Sequence, residues 1–476
     1  MAAEDNFVVA IEIGSSKVTA IAGRKQPDDA LLVLACVQEP SSDFVRRGRI
    51  NNIKKMKACL SGIKENLEKK LKKSIGQAYV GIGGMGMYSV KNTVPKTFTA
   101  RTEVSRDVID EIEQDNARSM SDEYTILGTI IQEYRLGAQV THEPVGMVAD
   151  RVEGRFLNVV TRNFVCETIK KCMDNAELGI AGLPIATLAL ADRMVPASER
   201  HSGCVFVDMG AETTSVAIFK NNLLRHFAVL PLGGRNITRD ITSLSVEEAE
   251  AERMKVNFGT AFSENDEEVR NPIVTDSGRH INYDEFINLV EARQEEIICN
   301  VHNQIKLSGY KRSELVGGII LTGGAANMRN IVKAFRRVTD FETVRVVKSV
   351  DTTIRPASSL PQGFNKDGSC NMAIALLEQG KENCCAGSLS SGNDMFDRKK
   401  KEEEAEKERL AREAGQNVKG PQEPSEAVDK ERVERERAEK RAEKKEKRRR
   451  FFGKIKNFMT NLVSDNEANE GNDVRD

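Results

Sequence analysis

The stretch Phe7-Val8-Val9-Ala10-Ile11-Glu12-Ile13-Gly14-Ser15-Ser16-Lys17 decides the fold. Its apolar run predicts a strand, Phe7–Ile13, that ends in a short turn, and Val18–Ala22 resumes as a second strand. Gly14 has no Cβ, so the backbone there can approach a ligand closely. The hydroxyls of Ser15 and Ser16 and the successive N–H groups of the turn make an anion nest, to which Lys17 adds charge. The same grammar restarts at Gly203, with strands Cys204–Asp208, Ser215–Phe219 and Leu223–Leu230. Its turn, Asp208-Met209-Gly210-Ala211-Glu212-Thr213-Thr214, offers a carboxylate for a metal-bound water, a glycine and two hydroxyls. A third turn, Thr322-Gly323-Gly324-Ala325, follows strand Gly318–Leu321 and precedes a helix expected over Met328–Arg337, whose N-terminus favours an anion. One such turn alone is usually only a turn. Three in order, at strand ends, point to phosphate and adenosine binding in a cleft between two related halves. None matches the Walker or Rossmann pattern.

Working outward, Leu31–Val37 reads as a third strand. Ile53, Met56, Leu60, Ile63, Leu67 and Leu71 repeat at helical spacing, which predicts a helix from Ile53 to about Lys73. Ala78–Ile82 is the next strand. Gly81-Ile82-Gly83-Gly84-Met85-Gly86 carries no donors of its own and reads as a turn crossing between domains. Residues 85–165 form an insertion, a small α+β module with Val90–Thr99, a helix Val108–Ser119, a strand near Ile126–Tyr134 and Leu157–Thr161. Helices are expected over Ser245–Val256 and from about Asp284 to Leu307.

The chain has 476 residues, 71 Lys+Arg against 72 Asp+Glu, and a net charge of −1, which disfavours a dedicated nucleic-acid binder. The nine cysteines make no C-x-x-C pair, so a zinc ribbon is disfavoured and a reducing compartment fits. No run reaches the length of an apolar membrane span, and Met1–Asn6 lacks the basic start of a secretory signal, so a cytosolic location is expected. From about Gly387 the composition turns polar. Residues 398–447 are almost all Lys, Arg, Glu, Ala and Gln around Pro421 and Pro424, too poor in apolar groups to form a core. They are expected to be a mobile linker with transient helix.

Arg448, Arg449 and Arg450 then lead into Phe451-Phe452-Gly453-Lys454-Ile455-Lys456-Asn457-Phe458-Met459-Thr460-Asn461-Leu462-Val463. Phe451, Phe452, Ile455, Phe458, Met459, Leu462 and Val463 fall on one helical face, with Lys454 on the other. Residues 431–450 carry 11 basic and 6 acidic groups. A basic, aromatic amphipathic helix on a tether reads as an interfacial anchor for anionic lipid. A helix that docks in a protein groove is the competing reading.

This arrangement resembles the actin/Hsp70/sugar-kinase superfamily and, within it, the bacterial cell-division family FtsA. The segments that carry the likeness are Val9–Lys17, Ile131-Gln132-Glu133-Tyr134 with Pro144-Val145-Gly146-Met147, Val205–Phe219, Ala251-Glu252-Arg253-Met254-Lys255-Val256 and Ile319–Ala326. The resemblance implies an α/β, two-lobed actin-like ATPase fold built from duplicated ribonuclease-H-like domains, with ATP and Mg²⁺ in the cleft. It implies a first lobe over 1–84 and 166–200, an inserted subdomain over 85–165 and a second lobe over 201–236 and 312–384. A second-lobe subdomain over 237–311 is implied to bind the C-terminal tail of FtsZ. A linker over 385–447, a membrane-targeting helix over 448–464 and an acidic tail over 465–476 follow.

By the same resemblance Gly14, Ser15, Ser16 and Lys17 hold the β- and γ-phosphates. Asp208, Gly210, Thr213 and Thr214 form the second phosphate hairpin, and Asp208 reaches Mg²⁺ through water. Gly233 and Gly234 lie near the α-phosphate, Glu252 and Lys255 reach ribose and adenine, and Gly323, Gly324 and Met328 cover the adenosine. Without the family pattern, Glu252 and Lys255 would read as an exposed helical ion pair. The second loop departs from the superfamily pattern: Ala211 and Glu212 replace two glycines, and Ser215 replaces an Asp. A carboxylate at 212 would repel a triphosphate if it faced it. No general base stands out, so at most slow ATP hydrolysis is expected.

The implied function is a scaffold that tethers FtsZ filaments to the cytoplasmic face of the inner membrane at the division site. It would self-assemble into filaments and recruit later division proteins. A small-molecule kinase or chaperone-type ATPase, and a pilus-assembly or plasmid-segregation actin, are the alternatives on the same fold.

Overall fold

The computed structural model describes residues 6–263, 271–356 and 367–386, with Pro361 and Phe364. All lie within the first of the chain's two compact units, Met1–Lys399. The linker over 385–447, apart from its first two residues, the helix over 448–464 and the tail over 465–476 lie outside the described residues.

Strands β1 (Val8–Ile13), β2 (Lys17–Lys25) and β3 (Leu31–Pro40) form an antiparallel meander. A hairpin of two-residue strands follows, β4 (Val45–Arg46) and β5 (Arg49–Ile50), with Arg47 and Gly48 at its tip in the left-handed region (φ 51° and 71°). Helix α1 (Ile53–Leu71) buries Met56, Leu60, Ile63 and Leu67. The Asn52 side chain caps it by accepting from the Lys55 N–H, and Lys69 and Lys70 complement the dipole at its last turn. β6 (Gln77–Gly81) then lies parallel to β1.

The insertion contains β7 (Tyr88–Glu103), α2 (Arg106–Arg118), β8 (Tyr124–Leu136), β9 (Gln139–Thr141) and β10 (Val148–Arg162). The chain returns through α3 (Asn163–Asn175), β11 (Gly179–Gly182), α4 (Ala186–Met194) and α5 (Ala197–Ser202). A second meander follows, β12 (Cys204–Met209), β13 (Thr214–Lys220) and β14 (Leu223–Leu230). It leads to α6 (Gly234–Thr242), α7 (Glu248–Phe258), the short pair β15 (Ile273–Val274) and β16 (His280–Ile281), and the long α8 (Tyr283–Ser308). Then come β17 (Ile319–Thr322), α9 (Ile331–Thr339), β18 (Val344–Val346), β19 (Ile354–Pro356) and α10 (Asn371–Gln379).

The duplication is explicit in the strand order. The first sheet runs β11-β6-β1-β2-β3-β19, and the second contains β18-β17-β12-β13-β14. In each, an antiparallel three-stranded meander is extended by two parallel strands on the side of its first strand. Each meander's first turn therefore lies at the matching place in its lobe. α4 and α10 pack together in the first lobe's core and are buried nearly all round, with Leu190 and Leu376 among the core residues. A separate core around Val207, Ile237, Ile298 and Phe335 supports the second lobe.

The insertion has its own small core, including Ile112, Tyr134, Val152 and Phe156. Its strands continue the second sheet in the order β14-β7-β10-β8-β9. The join is narrow. Ala228 pairs with Tyr88, and the Val229 N–H donates to the Met87 carbonyl at 3.0 Å. Gln132 strengthens it, donating to the Leu224 carbonyl at 3.1 Å and accepting from Arg225 at 2.8 Å. A segment that the sequence marked only by its pattern thus fastens the module to the second lobe.

Two expected helices start later than their spacing suggests. Ser245 (φ 61°) and Asn330 (φ 57°) sit in the left-handed region, so the helices begin at Glu248 and Ile331. Met328 is extended, and Gly324–Asn327 forms a 3₁₀ turn before it. Among the described residues no helix is long and apolar enough to cross a membrane.

Candidate functional site

The three turns converge on one cleft of about 1020 Å³ between the lobes. Gly14, Ser15, Ser16 and Lys17 line it from the first lobe, and Asp208, Gly210 and Thr213 from the second. Gly234, Glu252, Lys255, Gly323, Gly324 and Met328 complete the second-lobe wall.

The first loop is tight because the Gly14 N–H donates to the Lys17 carbonyl at 3.1 Å, and a Cβ on Gly14 would stand 2.7 Å from that oxygen. The Ser41 hydroxyl donates to the Gly14 carbonyl at 2.6 Å and fixes the loop from behind. Lys17 is anchored by Gln38 at 3.2 Å. In the second loop the Gly210 N–H donates to the Thr213 carbonyl at 2.8 Å, which repeats the first turn. Gly323 has φ 90°, and a Cβ there would press on the Met209 backbone and on Asp208 Oδ1, so only glycine lets the third turn lie against the second.

Two expected residues do not line the cleft. Thr214 begins β13, where side chains alternate, and it is turned into the core, its hydroxyl donating to the Leu232 carbonyl at 2.9 Å. Gly233 lies behind loop two, where a Cβ would meet the Gly210 carbonyl oxygen at 2.6 Å, and its N–H donates to Asn236. Glu212 does not face the cleft either. It is buried among arginines, so the anticipated repulsion with a triphosphate does not arise.

Glu252 and Lys255 are more than a surface pair. The Lys255 amine donates to Glu252 at 2.7 Å, to Thr238 at 2.9 Å and to the Gly234 carbonyl at 3.2 Å. Thr238 in turn donates to the same Glu252 oxygen at 2.5 Å. The network ties α7 to the start of α6 and sets a carboxylate and an ammonium on the cleft wall.

Glu12 and Asp208 stand one residue before the ends of β1 and β12 and both line the cleft. Burial pushes the Glu12 carboxyl up to about 8, the charge of Asp208 adds to the rise, and Lys17 opposes it. Burial pushes Asp208 up to about 6. Two poorly solvated carboxylates from opposite lobes favour either protonation or a cation. Residues the sequence reading left out also line the cleft, among them Thr187 of α4, Arg329, and the Gly368-Ser369 turn before α10. A Gly-Ser turn ahead of an apolar helix was the available signal for the last of these.

Comparison with known proteins agrees with this architecture. The family model described as "Cell division protein FtsA" matches residues 205–363, and that described as "SHS2 domain inserted in FTSA" matches residues 84–160. The chain is 28% identical over 345 residues to "Cell division protein FtsA" of Porphyromonas gingivalis, covering 71% of this chain and 72% of that one. It is 27% identical over 403 residues to the protein of the same description from Escherichia coli K12, covering 80% and 92%. Among solved structures it resembles a chain of the "PilM-PilN type IV pilus biogenesis complex", with TM-score 0.56 and 14% identity, covering 78% and 98%, a likeness of fold alone. The two lobes are therefore those of an actin-like fold, the module over β7–β10 is the inserted SHS2 domain, and the chain belongs to the FtsA family of cell division proteins.

Proposed function

We propose that the chain is an ATP-binding, actin-like scaffold of cell division that tethers FtsZ filaments to the cytoplasmic face of the cell membrane. The observation that carries the nucleotide part is the convergence of the three small-residue turns, from both lobes, on one cleft. The phosphates would lie between Gly14–Lys17 and Gly210–Thr213, whose backbones offer N–H groups and whose hydroxyls and Lys17 complete the donor set. Glu252 and Lys255 would receive the ribose and base, with Gly324 and Met328 over the adenosine. The raised Glu12 and Asp208 carboxyls suit a Mg²⁺ ion brought in with the phosphates, which would supply charge neutralisation there. Binding needs only favourable ground-state contacts, whereas turnover needs an oriented water and a base, so the cleft is read as one that binds nucleotide rather than one that turns it over fast. Nucleotide would then act on conformation and self-assembly.

The membrane part rests on the sequence of 448–464. A single short amphipathic helix binds reversibly, and self-assembly of the heads would array many such helices and raise avidity steeply. FtsZ binding by the subdomain over 237–311, and recruitment of later division proteins, rest on family membership. The test is flotation of the full chain with phosphatidylglycerol-containing vesicles, with and without ATP, beside a version ending at Lys447. The full chain floats, more completely with ATP, and the shortened chain stays in solution. Equal flotation of the two removes the anchor, and a full chain that takes up no ATP removes the nucleotide.

A further inference from the structure

We propose that Glu212 is a latch across the cleft, a positioning residue that ties the second phosphate loop to the first lobe and to the root of the inserted domain. It stands where the superfamily pattern has glycine, and its side chain is only 3% exposed. One carboxylate oxygen accepts from the Arg47 backbone N–H at 2.6 Å. The other accepts from Arg46 at 3.3 Å and from Arg239 at 2.9 Å, with Arg235 at 3.9 Å. Arg46 and Arg47 belong to the β4–β5 hairpin of the first lobe, and Arg235 and Arg239 to α6 of the second. A buried carboxylate stripped of part of this shell is costly. Opening the cleft would remove the Arg46 and Arg47 donors and leave only α6 to compensate the charge.

The hairpin tip does more than receive Glu212. The next amide, Gly48 N–H, donates to Ser15 Oγ at 2.8 Å, so consecutive N–H groups hold the two phosphate loops. The Arg47 carbonyl accepts from the Met85 N–H at 2.8 Å. The Gly48 and Gly84 backbones touch so closely that neither position has room for a Cβ, and both have positive φ. Met85 leads directly into β7. One tip therefore contacts both phosphate loops and the start of the inserted domain. The latch holds the tip in place without nucleotide; when it is broken, docking of the tip depends on nucleotide bridging the two loops. This last step rests on the nucleotide reading above.

Hydrogen–deuterium exchange on the full chain, with and without ATP and Mg²⁺, tests it with Glu212→Gln, Glu212→Gly and Arg239→Ala. Without nucleotide, Glu212→Gly speeds exchange in segments 44–50 and 83–88 by about tenfold or more, and Glu212→Gln and Arg239→Ala do so by a smaller factor. Amides of α8 and β10 keep their wild-type rates, which separates latch release from unfolding. Should Glu212→Gly unfold, the two milder variants carry the same comparison. ATP restores protection of both segments in the variants. Wild-type exchange rates in both segments in the folded variants overturn the latch. Faster exchange that ATP does not reverse, in a chain that binds no ATP, supports the latch and overturns the nucleotide reading instead.

Discussion

Lys255 and Glu252 lie 2.7 Å apart on one face of α7, and the lysine amine is also held by Thr238 and the Gly234 carbonyl of α6. The Lys255 side chain is 13% exposed and that of Glu252 is 51% exposed. Removing the half-exposed Glu252 carboxylate leaves the Lys255 amine its Thr238 and Gly234 partners, so little stability is at stake. A pair that presents its carboxylate to a ligand instead shows its worth on binding. Glu252→Ala is therefore expected to lower ATP affinity about tenfold or more, as loss of a charge-assisted hydrogen bond does. Unfolding free energy should change by less than about 1 kcal/mol. Isothermal titration and urea unfolding of the same preparation check both.

The Glu12 carboxyl gives a pH dependence whose sign is fixed. Its value rises from 4.5 in the unfolded chain to about 8 in the fold. The folded protein thus keeps a proton that the unfolded chain has released. This group's contribution to stability is full below about 4.5 and is lost as pH climbs to about 8. Glu12→Gln should flatten that part of the stability profile measured by thermal unfolding without nucleotide. On the proposed reading a magnesium nucleotide would be held with this carboxyl charged, so its binding should release protons, and affinity should rise between about pH 6 and 8. Calorimetry in two buffers of different ionisation enthalpy would register that release, and Glu12→Gln should diminish it.

Inside the inserted domain, Asn116 and Asn158 exchange amide hydrogen bonds of 2.9 and 2.8 Å while almost fully buried. Thr129 and Asn92 complete the network. Replacing either Asn by Ala leaves the other's amide short of a partner in a dry environment, at a cost of about 1–3 kcal/mol. The double replacement should cost less than the two singles added together, by about 0.5 kcal/mol or more. Urea midpoints of the four chains give the cycle, and simple additivity would mean that water satisfies the orphaned amide.

These examples show which parts were legible in the sequence. The loops at Gly14 and Gly210 declare themselves because glycine and hydroxyl residues at a strand end are a local signal. α1 is legible because Met56, Leu60, Ile63 and Leu67 carry its period in sequence. The β4–β5 hairpin was missed because two-residue strands have no period. α4 and α10 escape because both are apolar nearly all round, buried as they are in the first lobe's core. Thr213 and Thr214 look equivalent as hydroxyls, yet strand alternation sends one to the cleft and the other to the core. The meeting of Glu12 and Asp208 in one cleft and the Glu212–Arg47 hydrogen bond join residues far apart in the chain, and nothing local in a single sequence encodes them.

The segment over 451–463 allows a prediction that keeps membrane and nucleotide apart. Read at helical spacing, Phe451, Phe452, Ile455, Phe458, Met459, Leu462 and Val463 would share one apolar face. Placing a charge on such a face removes apolar burial and adds the cost of desolvating a carboxylate near anionic lipid. Phe452→Glu should therefore abolish flotation with anionic vesicles. ATP affinity measured by titration should stay within about twofold of the unmodified chain, since a helix that acts only at the membrane makes no differential contact with the nucleotide-binding states. Because avidity multiplies weak single contacts, the loss should be steepest under conditions where the heads assemble. If Phe452→Glu weakens ATP binding in parallel with flotation, the helix instead packs on the head and serves the cleft.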